Sequence, residues 1–167
     1  MEKTLSSSKK KITIKGIYSL IIFILLILWI AVVTEILLNF KAFKTGISRQ
    51  PLPEVFKLLV IYLLPVLEFA TVVSLVFTKL QRTGMLLSTI LMFAFTVYIG
   101  ITLLGFWDQL PCTCGSVIKG LSWQQHFFFN LLFLFISMLG FYLYTKLRCS
   151  DVGDKTTEGL SAKRHNS

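Results

Sequence analysis

The chain of 167 residues is poor in charge, and in acid above all: 15% of its residues are charged, with 8 Asp and Glu against 17 Lys and Arg. Hydrophobic residues make up 54%, and the mean hydropathy is +0.74. Together these exclude an ordinary soluble domain, because one core of this size cannot hide so much apolar surface. Cysteine and histidine are also scarce, at three and two residues. That excludes a disulfide-stapled scaffold and a closed zinc site built from His and Cys alone. The long apolar runs lack the alternation that a transmembrane β-barrel requires. The first of them lacks an A-x-A-like cleavage site and exceeds the roughly 7–15 residues of a signal-peptide core, so it reads as a retained helix. No internal repeat is visible. The formal charge of +9 does not point to nucleic acid, since the basic residues gather in the tails and short connections, where membrane topology and anionic headgroups account for them.

What is present is four apolar stretches: Ile17–Leu38, Leu58–Phe77, Leu86–Phe106 and Phe127–Leu143. Each approaches or exceeds the roughly 17–25 residues of a transmembrane helix. The expected fold is an all-α membrane protein, a four-transmembrane-helix bundle that is N-in/C-in with disordered polar tails. Its divisions are a basic cytoplasmic tail at 1–15, the membrane domain at 16–147 and a cytoplasmic tail at 148–167, rich in Ser, Gly and Thr. Orientation follows the basic residues. Lys3, Lys9, Lys10, Lys11, Lys15, Lys79, Arg82, Lys146 and Arg148 fall on the side of the termini, against Lys41, Lys44, Arg49, Lys57 and Lys119 on the other. Nine against five favours termini inside, although the first outer connection is unusually basic. Pro51 and Pro53 in that connection favour extended backbone.

This orientation puts Cys112 and Cys114, in "LPCTCGS", outside the cytoplasm, where disulfides persist. Pro111 and Gly115 help the chain turn tightly enough to bring the two thiols together. A bond closing so small a ring is of the strained, exchangeable kind. Three readings stay open on spacing: a redox pair, an inert pair that stiffens the loop, and a Cu(I) or zinc clip completed by His126 and still one ligand short. Cys149 lies a membrane thickness away at the cytoplasmic end of the fourth stretch and cannot resolve a bond at the pair; it reads as a free thiol or an acylation site.

His126 and Asn130 are one helical turn apart near the outer end of the fourth stretch, with Trp123 at interfacial depth before them. His126 reads either as a proton carrier that raises the thiolate fraction of a cysteine or as a plain interfacial histidine. Asn130 suits an interhelical hydrogen bond. Glu68 sits about eleven residues into the second stretch, roughly 16 Å from its outer end. A carboxyl at that depth is costly, and reads as a proton relay, as the lining of a quinone pocket or as polar glue between helices. Pro65, three residues earlier, frees a backbone carbonyl. Glu35, near an outer helix end, can snorkel to water.

In order along the chain, "QPLP", "LPVLE", "RTG" and above all "LPCTCGSVIKGLSWQQHFFFN" resemble the MauE/DoxX-like redox-associated membrane proteins. The resemblance covers residues 16–147. It implies a four-helix inner-membrane protein linked to disulfide formation outside the cytoplasm, and the named family member is associated with maturation of the disulfide-rich small subunit of methylamine dehydrogenase. Carried over, Cys112 and Cys114 are the catalytic pair, with Trp123, His126 and Asn130 completing the loop signature and Pro65 and Glu68 forming the second-helix motif. Many relatives have two glycines after the second cysteine, whereas this chain has Gly115-Ser116, which narrows the backbone's freedom there. The expected activity is thiol–disulfide exchange with an exported cysteine-containing or thioredoxin-like protein, with a quinone as electron acceptor and no metal. A non-enzymatic assembly scaffold and a metal-delivery protein are the alternatives. The expected location is the bacterial inner membrane, with the Cys-x-Cys loop facing the periplasm.

Overall fold

A computed structural model describes the backbone of residues 2–50, 53–104 and 123–165, with side-chain detail for 12–50, 53–104 and 124–149. The described residues form five helices: α1 (Glu2–Leu38), α2 (Phe40–Ser48), α3 (Glu54–Val76), α4 (Gln81–Leu103) and α5 (Trp123–His165). None of them forms a strand. Four helices are long and apolar enough to cross a membrane, over Ile12–Leu38, Glu54–Val76, Gln81–Leu103 and Gln124–Cys149. The 23 residues of α3 rise about 35 Å, enough for a hydrocarbon core of about 30 Å. Large apolar side chains such as Phe23, Phe69, Phe93 and Phe135 point outward and stay exposed. A surface of that kind needs lipid rather than water around it.

The spans pack in the cyclic order α1, α3, α4, α5, each against its two neighbours, and α1/α4 and α3/α5 are the diagonals. Helices apolar on every face must be held in register by their few polar and small residues. Trp29 of α1 reaches across the diagonal, and its indole Nε1 donates to Ser88 Oγ of α4 at 2.9 Å. Ser88 Oγ in turn lies 2.9 Å from Ser137 Oγ of α5. All three side chains are fully buried beside Leu25, Leu75 and Met85. Ser88→Ala leaves the indole N–H without its partner and removes the link to Ser137. Interhelical hydrogen bonds in membranes average only about 0.6 kcal/mol, whereas an orphaned buried donor costs about 1–3 kcal/mol. The expected loss is therefore about 1–2 kcal/mol, larger than for Ser137→Ala, which breaks only the second link. Thermal unfolding in detergent measures both, and equal midpoints for the two variants would refute this assignment.

At the end of the bundle near the termini, Tyr18 Oη donates to Gln81 Oε1 at 3.1 Å, and Gln81 Nε2 donates to the Leu75 carbonyl at 3.4 Å. These bonds tie α1 and the α3–α4 turn together. At the other end, the chain breaks at Asn39, whose side-chain amide donates to Glu35 Oε1 at 2.8 Å. The short helix α2 follows where the sequence suggests only an irregular connection ahead of Pro51 and Pro53. Phe43 and Ile47 of α2 pack on Ile36 and Ile61, forming a second, smaller core between α1 and α3. Burial of these two side chains stabilises a helix too short to persist alone.

Several boundaries differ from the sequence expectation, among them the start of the third span at Gln81, five residues before its apolar run. The second span begins at Glu54, four residues before the apolar run, because Glu54 suits the first turn of a helix and pairs with Lys57 at 2.8 Å. The helical backbone also runs back to Glu2 and on to His165, through the segments expected as disordered tails. Extending an existing helix adds a hydrogen bond for each residue fixed, and neither segment contains a proline to stop it.

Candidate functional site

Of the residues singled out in the sequence, Cys112, Cys114, Pro111 and Gly115 lie outside the described residues, and Trp123 is described by its backbone, as the first residue of α5. The connection that carries the cysteines leaves α4 at Leu103 and enters α5 at Trp123. Both ends lie at the face of the bundle that bears α2, opposite the two termini. A Cβ built on Gly100 would lie 3.4 Å from Phe127 Cε2, so the start of the second turn of α5 packs beside the last turn of α4.

His126 and Asn130 sit at this end of α5, one turn apart. The His126 ring is half-buried and stacks on Phe129, with centroids 6.4 Å apart and an interplanar angle of 11°. Asn130 turns into the bundle and is 5% exposed. His126 is therefore held by an aromatic neighbour at the level from which the cysteine connection departs.

Glu68 occupies a different place. The earlier start of α3 puts it fourteen residues from Glu54, about 21 Å along the helix, which is deeper than the sequence reading expects. It shares the inward face of α3 with Ile61, Thr71 and Leu75 and is 0% exposed. Neither Oε1 nor Oε2 has a hydrogen-bond partner among the described residues. No Lys or Arg occurs within Gly16–Leu38, Leu58–Phe77, Gly84–Leu103 or Phe127–Thr145, so the apolar part of the bundle offers it no counter-charge. Its nearest buried polar neighbour along α3, Thr71, spends its hydroxyl on the Leu67 carbonyl at 2.8 Å. Leaving buried polar atoms without a partner in this way costs several kcal/mol, and such groups call for a functional explanation.

Pro65 lies inside α3 without ending it. It withholds the N–H that would bond the Ile61 carbonyl, about two turns above Glu68. His126 lies only three residues into α5, so the two candidate proton-handling groups are about 16 Å apart in depth, and they sit on helices that face each other diagonally. They do not form one contiguous site. Among the described residues, no three His, Cys, Asp or Glu side chains converge as a metal site.

A family model described as methylamine utilisation protein MauE matches residues 14–143. The chain belongs to the MauE family. No curated protein and no solved structure matches it. The match takes in all four spans of this MauE-family membrane protein, as well as α2, Glu68, the connection with Cys112 and Cys114, and the His126–Asn130 turn.

Two polar features of this MauE-family chain escape a reading of the sequence. The first is the Trp29–Ser88–Ser137 chain through the core. The second is the bond from Tyr98 Oη to Gln50 Oε1, which fastens the buried end of the α2 segment to α4. Trp29, lone in an apolar run, was the available signal for the first, but it does not say which helix supplies the partner.

Proposed function

We propose that this protein is a membrane thiol–disulfide oxidoreductase that uses Cys112 and Cys114 to oxidise exported proteins. The observation that carries this reading is the Cys112-Thr113-Cys114 sequence in the longer of the two connections at the face opposite the termini, within the matched family region. The lysine bias assigns that side to the exterior.

In the proposed cycle, a thiolate of the exported partner attacks the Cys112–Cys114 disulfide. One intermolecular S–S bond forms, the intramolecular bond breaks, and the released cysteine takes up a proton. The partner's second thiolate then displaces the remaining cysteine. The partner ends oxidised, and Cys112 and Cys114 end as thiols carrying its two electrons and two protons. A quinone that accepts both becomes a quinol and restores the disulfide. His126, at the level of the connection, is suited to take the proton from an attacking thiol, which raises the reactive thiolate fraction. The family description, methylamine utilisation, is compatible with an exported protein of that metabolism as the partner.

Trapping tests the proposal. Cys112→Ser or Cys114→Ser, whichever spares the attacked sulfur, should accumulate a reducible cross-link to an exported protein, and the double variant should accumulate none. In intact cells, alkylation should find the wild-type pair mostly oxidised. A pair that is reduced in growing cells would rule out this cycle.

A further inference from the structure

The cations of α2 are absorbed neither by the bundle nor by the thiol chemistry. Lys41, Lys44 and the C-cap residue Arg49 are exposed on one side of the short helix, opposite the buried Phe43, Gly46 and Ile47. At 100° per residue, the three basic positions fall within one outward arc, and α2 contains no acid. None of the three makes an ion pair among the described residues. Among the described residues, the two acids at this end are engaged elsewhere, since Glu54 pairs with Lys57 and Glu35 accepts from Asn39. Four basic residues in the first connection also run against the charge bias that orients the chain. A cationic face with no counter-charge among the described residues is costly to place on the translocated side and calls for an anion.

The neighbouring side chains identify which anion. Leu37 and Leu38 end α1, and Val55 and Phe56 open α3; all four are exposed, Leu38 at 77% and Val55 at 72%. α2 bridges the ends of these two spans, so its cations stand at the boundary level where exposed apolar side chains also lie. A water-soluble acidic protein would satisfy the charges and leave those apolar side chains wet. Phospholipid satisfies both, with phosphate above and acyl chain below.

We propose that α2 is a docking face for anionic phospholipid headgroups, held by Lys41, Lys44 and Arg49, with the acyl chains covering Leu37, Leu38, Val55 and Phe56. The proposal is independent of the cysteine chemistry.

Phosphatidylglycerol titrated against phosphatidylcholine into detergent micelles of the full chain, followed by native mass spectrometry, tests it. The K41Q/K44Q/R49Q variant should lose on the order of a hundredfold in phosphatidylglycerol affinity, at roughly fivefold per basic residue. K41R/K44R should bind like wild type, and so should K57Q, whose lysine is already paired. Phosphatidylcholine binding should not change in any variant. Should the triple variant fail to fold, Lys44→Gln alone should still show the fivefold loss. Equal phosphatidylglycerol affinity in wild type and neutralised variants would assign the binding to the basic tails and overturn the proposal. So would unchanged lipid affinity combined with loss of cross-linking to an acidic exported protein, which would make the face a protein site.

Discussion

Gly84→Leu is expected to leave little correctly folded protein, and even Gly84→Ala should cost about 1–3 kcal/mol. Gly84 closes the first turn of α4, shortly after the turn from α3. A Cβ added there would lie 2.9 Å from both the Leu75 nitrogen and the Ser74 carbonyl carbon. These are backbone atoms of a neighbouring helix, so relief requires α3 and α4 to separate, with loss of packing around the fully buried Leu75 and Met85. Two other glycines provide an internal scale. At Gly140, a Cβ would meet Ile21 Cγ2 at 2.9 Å and Met85 Sδ at 3.0 Å, side-chain atoms of which the methionine can move aside. At Gly16 it would meet nothing within 4 Å, and alanine should stabilise the helix by up to about 1 kcal/mol. Thermal midpoints should therefore rank Gly16→Ala above wild type, then Gly140→Ala, then Gly84→Ala. A Gly84→Ala variant no worse than Gly140→Ala would show that α3 and α4 do not approach this closely.

The second large effect concerns Glu68, where stability and activity should move in opposite directions. Glu68→Leu replaces two unpaired buried oxygens with apolar atoms of similar volume. Removing an unsatisfied buried group of this kind is worth about 1–3 kcal/mol, so the variant should melt higher than wild type. If Glu68 served only as a hydrogen-bonding strut between helices, the same change would lower the midpoint. Where Glu68 serves as the proton relay for quinone-dependent re-oxidation of the cysteine pair, one of the readings its depth supports, its loss should slow that step by at least about a hundredfold. Glu68→Gln should be as slow while keeping the wild-type shape, which separates proton handling from packing. Glu68→Lys should fail to fold, because it buries a charge that has no partner. A Glu68→Leu protein that is stabilised and fully active would leave the carboxyl without a role in the cycle.

The number and order of the spans were legible along the chain because a bilayer filters sequence by length and composition. A run of twenty apolar residues with one carboxyl has few alternatives to a membrane helix. The family was legible for a related reason: the cysteine connection and the residues after it form a local pattern that survives without knowledge of contacts. Helix ends were less legible. Glu54 and Lys57 look like loop residues until they are seen as an i, i+3 pair in the first turn of α3. α2 was not legible either, because nine residues hold too few turns to establish a period, and two prolines follow closely.

The inward faces were decided only in three dimensions. In a soluble helix, polar residues mark the outside; these spans are apolar on nearly every side, so their sequences do not say which stripe faces protein and which faces lipid. Packing selected the stripe that carries Trp29, Ser88, Ser137 and Glu68 and turned Phe69, Phe93 and Phe135 outward. It joined Tyr98 to Gln50 and left Glu68 without a partner, about 16 Å deeper than His126. A one-dimensional pattern can report that a carboxyl lies within a membrane span. Whether a donor meets it there depends on the rotation of the surrounding helices, which is set by close packing at residues as small as Gly84.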